Sequence, residues 1–118
     1  MNHILPTKQI MNDDTFDPLK VDLRIKGIVM KLREAGFSTF MSCQGRITGV
    51  PQHAYYRPIV GILMFHSEVK KVKDFLKENR LKKVQINKRR SALNGTYALE
   101  TNGEYIAIVG ETLLDLPS

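Results

Sequence analysis

Ser38-Thr39-Phe40-Met41-Ser42-Cys43-Gln44-Gly45-Arg46 is the stretch around which the chain is organised. It follows a helical pattern directly and leads into the longest predicted loop. Residues 37–43 are rich in β-branched and aromatic side chains, which predicts a strand. With the two-residue period of a strand, the odd-numbered residues of 37–43 should share one face of the sheet and the even-numbered residues the other.

The residues before this strand predict an amphipathic helix. Asp17-Pro18 is typical of a helix start, because Asp accepts from first-turn N–H groups and Pro costs least at the first helical position. Apolar residues then recur at three- and four-residue spacing, and Gly36 predicts a left-handed C-cap. Gly27 would let another element approach this helix closely. Residues 1–16 are weakly periodic, so we expect a loosely held N-terminal segment before a single domain spanning 17–118.

After the loop at 44–58, the apolar run 59–65 predicts a central strand covered on both faces. Ser67 is a natural N-cap for a second helix with lysines on its outer side. Residues 82–88 alternate as a half-exposed strand.

A hairpin closes the predicted fold. Two strands at 96–101 and 104–109 are joined by Asn102-Gly103, a pair typical of a two-residue type I′ turn. The element order is helix–strand–strand–helix–strand–strand–strand. This order predicts an α+β fold with a mainly antiparallel sheet of about five strands and two helices packed on one face.

Charge is concentrated in one region of the chain. The formal net charge is +6, and ten of the eighteen Lys and Arg residues fall between Lys70 and Arg90, against Asp74 and Glu78 alone. Such an excess permits a polyanionic partner, which is a nucleic acid, a nucleotide or an acidic protein surface. The single cysteine allows no internal disulfide, and the apolar runs are too short to cross a bilayer. We therefore expect a cytoplasmic protein with no membrane partner.

The end of the first strand is one candidate binding site. Ser42, Gly45 and Arg46 are residue types that hold anions, through exposed backbone N–H groups and a guanidinium. Cys43 has two interpretations: a nucleophile, which needs a lowered pKa and a nearby base, or a small core residue.

Two further groups of residues suit a phosphate-bearing ligand. His53, Tyr55, Tyr56 and Arg57 lie in the long loop, where tyrosines stack on bases and Arg holds phosphate, or where the tyrosines cover the loop's own core. The basic run of the predicted strand and the residues after it, with the lysines of the second helix, is a phosphate-tracking surface or a solvated face. Its members are Lys82, Lys83, Lys88, Arg89 and Arg90. Metal binding is not expected, because the three histidines are far apart and one cysteine cannot build a zinc cluster.

Residues 39–47, Thr-Phe-Met-Ser-Cys-Gln-Gly-Arg-Ile, resemble a Thr-x-Ser-Ser-Cys-Ser-Gly-Arg-Ile signature. That signature belongs to a wybutosine-synthesis tRNA methyltransferase family. The stretch also resembles a Ser-Cys-Glu-Gly-His pattern of small bacterial and phage proteins. The resemblance rests on Ser42, Cys43, Gly45 and Arg46, and the chain has no Trp where the family carries one. It implies an α/β domain, a nucleic-acid substrate and S-adenosylmethionine as methyl donor.

Three functional hypotheses follow from these observations. The first is a small basic domain that binds RNA, DNA or a nucleotide, and it names no catalytic residue and no certain cofactor. The second is a reduced methyltransferase-like enzyme that uses S-adenosylmethionine. The third is a non-catalytic, phage-type protein that binds and inhibits a host protein through its basic helix surface.

Overall fold

Four antiparallel strands form one sheet in the order β1-β2-β4-β3. The computed structural model describes residues 21–45, 56–90 and 101–117. In this part of the chain the strands are β1 (Ser38–Cys43), β2 (Ile59–Leu63), β3 (Gln85–Arg90) and β4 (Glu104–Val109). All neighbouring pairs are antiparallel, which confirms the predicted α+β class and sheet type. The remaining predicted strand, 96–101, lies outside the described residues except for Thr101, which is in a turn.

Both helices pack on the same face of the sheet, as predicted. Helix α1 (Lys26–Glu34) follows a 3-10 turn at Leu23–Ile25, and α2 (Val69–Glu78) follows one at His66–Glu68. One apolar cluster joins the helices to alternate residues of the two central strands. Its sheet residues are Val60, Ile62, Ile106 and Ile108, and its helix residues include Ile28, Val29, Leu32, Val72, Phe75 and Leu76. We call this side the helix face. None of the described helices is long and apolar enough to span a membrane.

Helix α2 belongs to a split β-α-β unit. Strands β2 and β3 run in the same direction, because each is antiparallel to β4, which lies between them. A parallel connection of this kind needs a crossover, and α2 supplies it on the helix face. The crossover leaves β3 at the edge of the described sheet, beside α2.

The helix starts differ from the sequence predictions. Val21 and Asp22 are not helical, so α1 begins after them, whereas Asp17-Pro18 lies outside the described residues. Ser67 is wrong as an N-cap, because it lies inside the 3-10 turn and donates or accepts no capping hydrogen bond. The Glu104 carboxylate takes that role from β4 by accepting the His66 N–H at 2.7 Å.

The predicted glycine roles in α1 are confirmed. Gly36 has φ +94°, and the Phe37 N–H donates to the Leu32 carbonyl at 3.0 Å, as in a Schellman motif. A Cβ on Gly27 would lie 2.6 Å from the carbonyl oxygen of Pro117, so this glycine admits the C-terminal backbone. Helix α2 ends in the same type of motif, but Arg80 takes the left-handed position, with φ +56°.

A β-bulge at Phe40 overturns the predicted alternation of β1. Thr39 pairs with Ile62 and Met41 with Gly61, so Phe40 is an extra residue. Phe40 and Met41 consequently lie on the same face, where both would meet a Cβ on Gly61 at under 3.0 Å. Thr39 lies on the helix face, where its backbone carbonyl accepts from Arg33 at 3.1 Å. Odd and even residues of 37–43 therefore do not separate onto two faces.

The predicted pairing of 96–101 with 104–109 is wrong, because β4 pairs with β2 along one edge and with β3 along the other. The turn predicted before β4 is nevertheless present. Asn102 and Gly103 have φ +56° and +90°, and the Glu104 N–H donates to the Thr101 carbonyl at 2.9 Å, as a type I′ turn requires. Lys83 has φ +60°, which interrupts extended backbone, so β3 begins at Gln85 instead of at residue 82. This shift places Lys88, Arg89 and Arg90 inside the strand.

Candidate ligand-binding cleft

A cleft of about 370 Å³ lies on the face of the sheet opposite the helices. We call this side the second face. Three of the residues singled out from the sequence line the cleft together: Tyr56, Arg57 and Arg89. The volume falls within the range of small-molecule sites, roughly 300–1,000 Å³. The cleft is therefore large enough for one nucleobase with its phosphate.

The register of β3 places Arg89 in the cleft. Arg89 pairs with Tyr105 of β4, and these two residues point to the second face with Ala107 and Val109 on β4. The Arg89 side chain is exposed, and it makes no ion pair or hydrogen bond with the described residues. Its backbone carbonyl accepts a hydrogen bond from His66 Nε2 at 2.7 Å. The Arg89 guanidinium, unpaired within the described part of the chain, is thus attached to a backbone held by His66 at the cleft wall.

Gly45 fixes the segment that carries Tyr56 and Arg57. With φ +87°, Gly45 has a left-handed conformation, and a Cβ there would lie 2.9 Å from Pro58 N and 3.0 Å from Tyr56 O. On the other side of the segment, the Gly110 N–H donates to the Pro58 carbonyl at 3.1 Å. Gly45 and Gly110 therefore hold the backbone just before β2 in place, although neither lines the cleft.

Arg57 stands at the cleft rim in a weak ion pair. Its guanidinium donates to Glu111 at 3.4 and 3.5 Å, and the two side chains are 46% and 70% exposed. The Arg57 hydrogen bond lowers the pKa of the Glu111 carboxyl. These distances are long for a charged hydrogen bond, and exposed pairs of this kind contribute little. An incoming anion can therefore compete for Arg57.

The cleft floor is apolar and its far wall carries amides. The floor consists of Met41, Ile59, Ala107 and Val109, with Tyr105 beside them. Tyr105 also packs edge-on against Phe40, with 5.1 Å between ring centroids. An apolar floor with aromatic edges suits the flat surface of a base, whereas guanidinium groups suit its phosphate.

Two amide side chains on β3 complete the polar wall. Gln85 Nε2 donates to Asn87 Oδ1 at 3.1 Å. This bond leaves Gln85 Oε1 as an acceptor and Asn87 Nδ2 as a donor, neither of which is bonded to the described residues. One donor and one acceptor side by side are what is needed to read a base edge.

The residues at the end of β1, from Ser42 to Gly45, do not line the cleft. Cys43 is buried and packs with Ile59 and Ala107, and its Sγ accepts the Gly45 N–H at 3.4 Å. The Gln44 N–H donates to Asp22 Oδ2 at 3.0 Å, so both backbone groups at this strand end are used within the protein. Ser42 pairs with Val60 and faces the helices. These observations give Cys43 the position of a small core residue.

The strand alternation of β3 separates the three predicted basic residues. Lys88 and Arg90 lie on the side opposite Arg89. The Arg90 guanidinium donates to Asn102 O at 2.6 Å and to Glu104 Oε2 at 3.1 Å. The His66 N–H is the main cause of the lowered pKa of Glu104, and Arg90 adds to it. Lys88 lines a separate groove beside α2.

Arg46, His53 and Tyr55 lie outside the described residues, so their predicted roles stay predictions. Sequence reasoning missed the residues that make the floor and the amide wall. The signal for the amides was the alternation Gln85, Asn87, Arg89, which puts all three on one face of a strand. Tyr105 lies two residues before the small Ala107 in the last strand, so the sequence places both on the same face of the sheet. Gly45 gave no signal that its role is to hold residues 56–58.

Comparison with protein-family models, with curated proteins and with solved structures finds no match to this chain. Within the described ranges, no three His, Cys, Asp or Glu side chains are grouped to hold a metal ion. The chemistry of the cleft therefore rests on its own residues.

Proposed function

We propose that the cleft binds a phosphate-bearing ligand with a flat ring, namely RNA, DNA or a nucleotide. The observation that carries this proposal is that Tyr56, Arg57 and Arg89 line one cleft with an apolar floor. In the bound state the two guanidinium groups contact phosphate, and Tyr56 and Tyr105 flank the base. A cytoplasmic setting, where such ligands are abundant, fits this role.

The electrostatics of the cleft favour an anion. Arg57 and Arg89 are the only charged residues among the described lining, and no carboxylate lines the cleft. Arg57 donates to Glu111 only through long hydrogen bonds of 3.4 and 3.5 Å. Phosphate offers Arg a shorter, bidentate partner, which contributes more than an exposed carboxylate at this distance.

The ring-binding part of the proposal rests on Tyr56. This side chain is 74% exposed, although large aromatic groups are usually half-buried or more. The other exposed large apolar side chains in the described ranges are Leu23 and Phe65. Stacking on a base would remove Tyr56 from water and contribute about 1–3 kcal/mol per base.

A direct test measures binding of fluorescein-labelled single-stranded RNA and DNA ten-mers by anisotropy at several salt concentrations. Arg89→Gln should weaken binding about tenfold or more, since a charged hydrogen bond contributes about 1.5–3 kcal/mol. The matched control is Lys31→Gln, which removes one exposed cation from α1, away from the cleft. Equal affinities for both variants would contradict the proposal, as would binding of the wild type that does not weaken with salt.

A second pair of variants tests the stacking role. Tyr56→Phe keeps the ring and should retain affinity within about twofold, whereas Tyr56→Ala should lose roughly tenfold. If both lose affinity equally, the hydroxyl group is the important part of the side chain, and base stacking is wrong.

The resemblance to RNA-modifying methyltransferases stays a prediction. Calorimetric titration with S-adenosylmethionine tests it, and absence of heat at millimolar ligand would exclude it. The third hypothesis, binding of a host protein, predicts capture of a protein that survives nuclease treatment of the lysate.

A further inference from the structure

A second depression, which we call the groove, runs between α2 and β3 on the helix side of the sheet. One part of about 530 Å³ is lined by Lys73 and Lys88, and the next, of about 740 Å³, by Lys73, Lys77, Arg80 and Lys82. Lys73 and Ile86 line both parts, so the groove is continuous. Its base is formed by the apolar Leu76, Leu81 and Ile86.

The groove and the cleft meet at β3. Asn87 and Arg89 line the cleft and also the first part of the groove. Because β3 is an edge strand of the described sheet, nothing of that sheet separates the two depressions beyond it. A flexible ligand that occupies the cleft can therefore pass round β3 and enter the groove.

The cations of the groove are not neutralised within the described structure. Lys73, Lys77, Arg80, Lys82 and Lys88 line it, no carboxylate does, and none of these five side chains makes an ion pair with the described residues. The two lysines of α2 that do not line the groove are paired: Lys70 with Asp74 at 2.9 Å and Lys71 with Glu68 at 2.7 Å. The described ion pairs of this helix thus leave the lysines that line the groove without an acidic partner among the described residues.

This arrangement has a cost that a polyanion would relieve. Lys73 and Lys77 are four residues apart on one helix, where like charges repel. Arg80 follows Lys77 by three residues and adds a further positive charge to the same lining. Phosphates spaced along a strand would offset the repulsion among these like charges.

We propose that cleft and groove together bind single-stranded nucleic acid of about four nucleotides or more, a length typical of such sites. The proposal rests on the function assigned to the cleft. A base occupies the cleft, and the sugar–phosphate backbone turns round β3 past Arg89 and Lys88 into the groove. A lone nucleotide cannot fill both, because the groove extends from Lys88 beside the cleft to Arg80 beyond the end of α2.

A duplex does not fit this path. The ligand must turn from one face of a sheet to the other within the width of one strand, whereas duplex DNA has a persistence length of about 150 base pairs and resists so tight a turn. The base in the cleft must also be unstacked from its neighbours to lie between the tyrosines and the apolar floor. Both requirements are met by a single strand.

The test compares ligands of different length against two double variants of α2. The ligands are a mononucleotide and a mixed-sequence ten-mer, both fluorescein-labelled. Lys73→Gln with Lys77→Gln removes two groove cations. The matched control, Lys70→Gln with Lys71→Gln, removes the same charge from positions of the same helix that do not line the groove. Circular dichroism establishes that both variants fold.

For the groove variant we expect ten-mer affinity to fall about tenfold beyond the control, with mononucleotide affinity unchanged. Its slope of log affinity against log salt should fall by about 1.4, since each phosphate contact of a single strand contributes about 0.7. The proposal is overturned if both variants bind the ten-mer equally, if the wild type binds a duplex more tightly, or if an acidic peptide of equal charge competes as well as the ten-mer.

The outcome also separates this proposal from the one on which it rests. If Arg89→Gln abolishes mononucleotide binding while the groove variant behaves like the control, the cleft is a nucleotide site and the groove has no part in binding. If the wild type binds neither ligand, the proposed function itself is wrong.

Discussion

The two faces of the sheet are built from different side chains, although the same strands supply both. On the helix face, β2 and β4 present Val60, Ile62, Ile106 and Ile108, all at most 1% exposed. On the second face the same strands present small residues, Gly61 and Ala107, between larger ones. The branched side chains fill space against two helices, whereas the small ones leave room above the sheet. The helix face therefore contributes most of the stability, and the second face provides the cleft.

The largest expected effect is on the helix face. Ile106→Ala should destabilise the protein by about 2–5 kcal/mol, because it leaves a cavity in a fully buried cluster. Val109→Ala, at the cleft on the same strand, should cost about 1 kcal/mol, since its side chain is only half-buried. Denaturant unfolding measures both. Equal losses would mean that the two faces do not differ in their contribution to stability.

Gly45→Ala should affect both stability and binding. The left-handed backbone costs about 1–2 kcal/mol with a Cβ, and the Cβ would also displace the backbone of residues 56–58. Gly36→Ala is the control, because its φ is +94° but nothing lies within 4 Å of the new Cβ. Both variants should be destabilised, and only Gly45→Ala should lose ligand affinity. Retention of affinity in folded Gly45→Ala would show that this glycine does not position Tyr56 and Arg57.

Glu104 should make the stability of the folded protein sensitive to acid. The His66 N–H, with Arg90, holds the folded-state pKa of Glu104 below its ordinary value of 4.5. The stabilisation is therefore fully present above about pH 4.5 and is lost as pH falls through the lower folded-state pKa. Unfolding midpoints measured from pH 6 to pH 2 should show this loss in the wild type. In Glu104→Gln the corresponding part of the pH dependence should be absent, and an unchanged profile would exclude Glu104 as its source.

The smallest effect is expected at the cleft rim. Glu111→Gln removes the exposed partner of Arg57, so stability should barely change and affinity for a phosphate-bearing ligand should rise about two- to fivefold. Asp115→Asn, which removes an exposed carboxylate nearby in sequence, controls for net charge. If both variants bind equally well, the gain comes from overall charge and not from release of Arg57.

The sequence was sufficient for the α+β class, the antiparallel sheet and the two helices because local signals and the helix-face pattern agree, whereas it did not give the strand order. The apolar run at 59–63 becomes the doubly paired β2, Gly36 ends α1, and Asn102-Gly103 takes the two positive φ values that its turn requires. Each of these features depends on residues adjacent in the chain. Helix starts were predicted less well, since Glu104, distant in sequence, replaces Ser67 as the capping group.

The cleft could be predicted only in part, because it depends on pairing between distant strands. Lys88, Arg89 and Arg90 are alike in sequence, and only the register with β4 selects Arg89 for the cleft. Tyr56 and Arg57 reach the same cleft because Gly45, just after the neighbouring strand β1, packs on their backbone. A one-residue bulge at Phe40 is likewise invisible to a pattern that assumes strict alternation.

The bulge at Phe40 also determines which single-residue deletions in β1 preserve the pairing of the sheet. Because Phe40 has no partner on β2, residues on either side of it already pair in the positions that a regular strand would give them. In-frame loss of codon 40 would therefore preserve the register of Thr39 and Met41, and its cost would be the ring packed on Tyr105 and Leu63. Loss of codon 39 or 42, in contrast, removes a paired residue. β1 thus carries one site where a deletion keeps the sheet intact, next to positions where it does not.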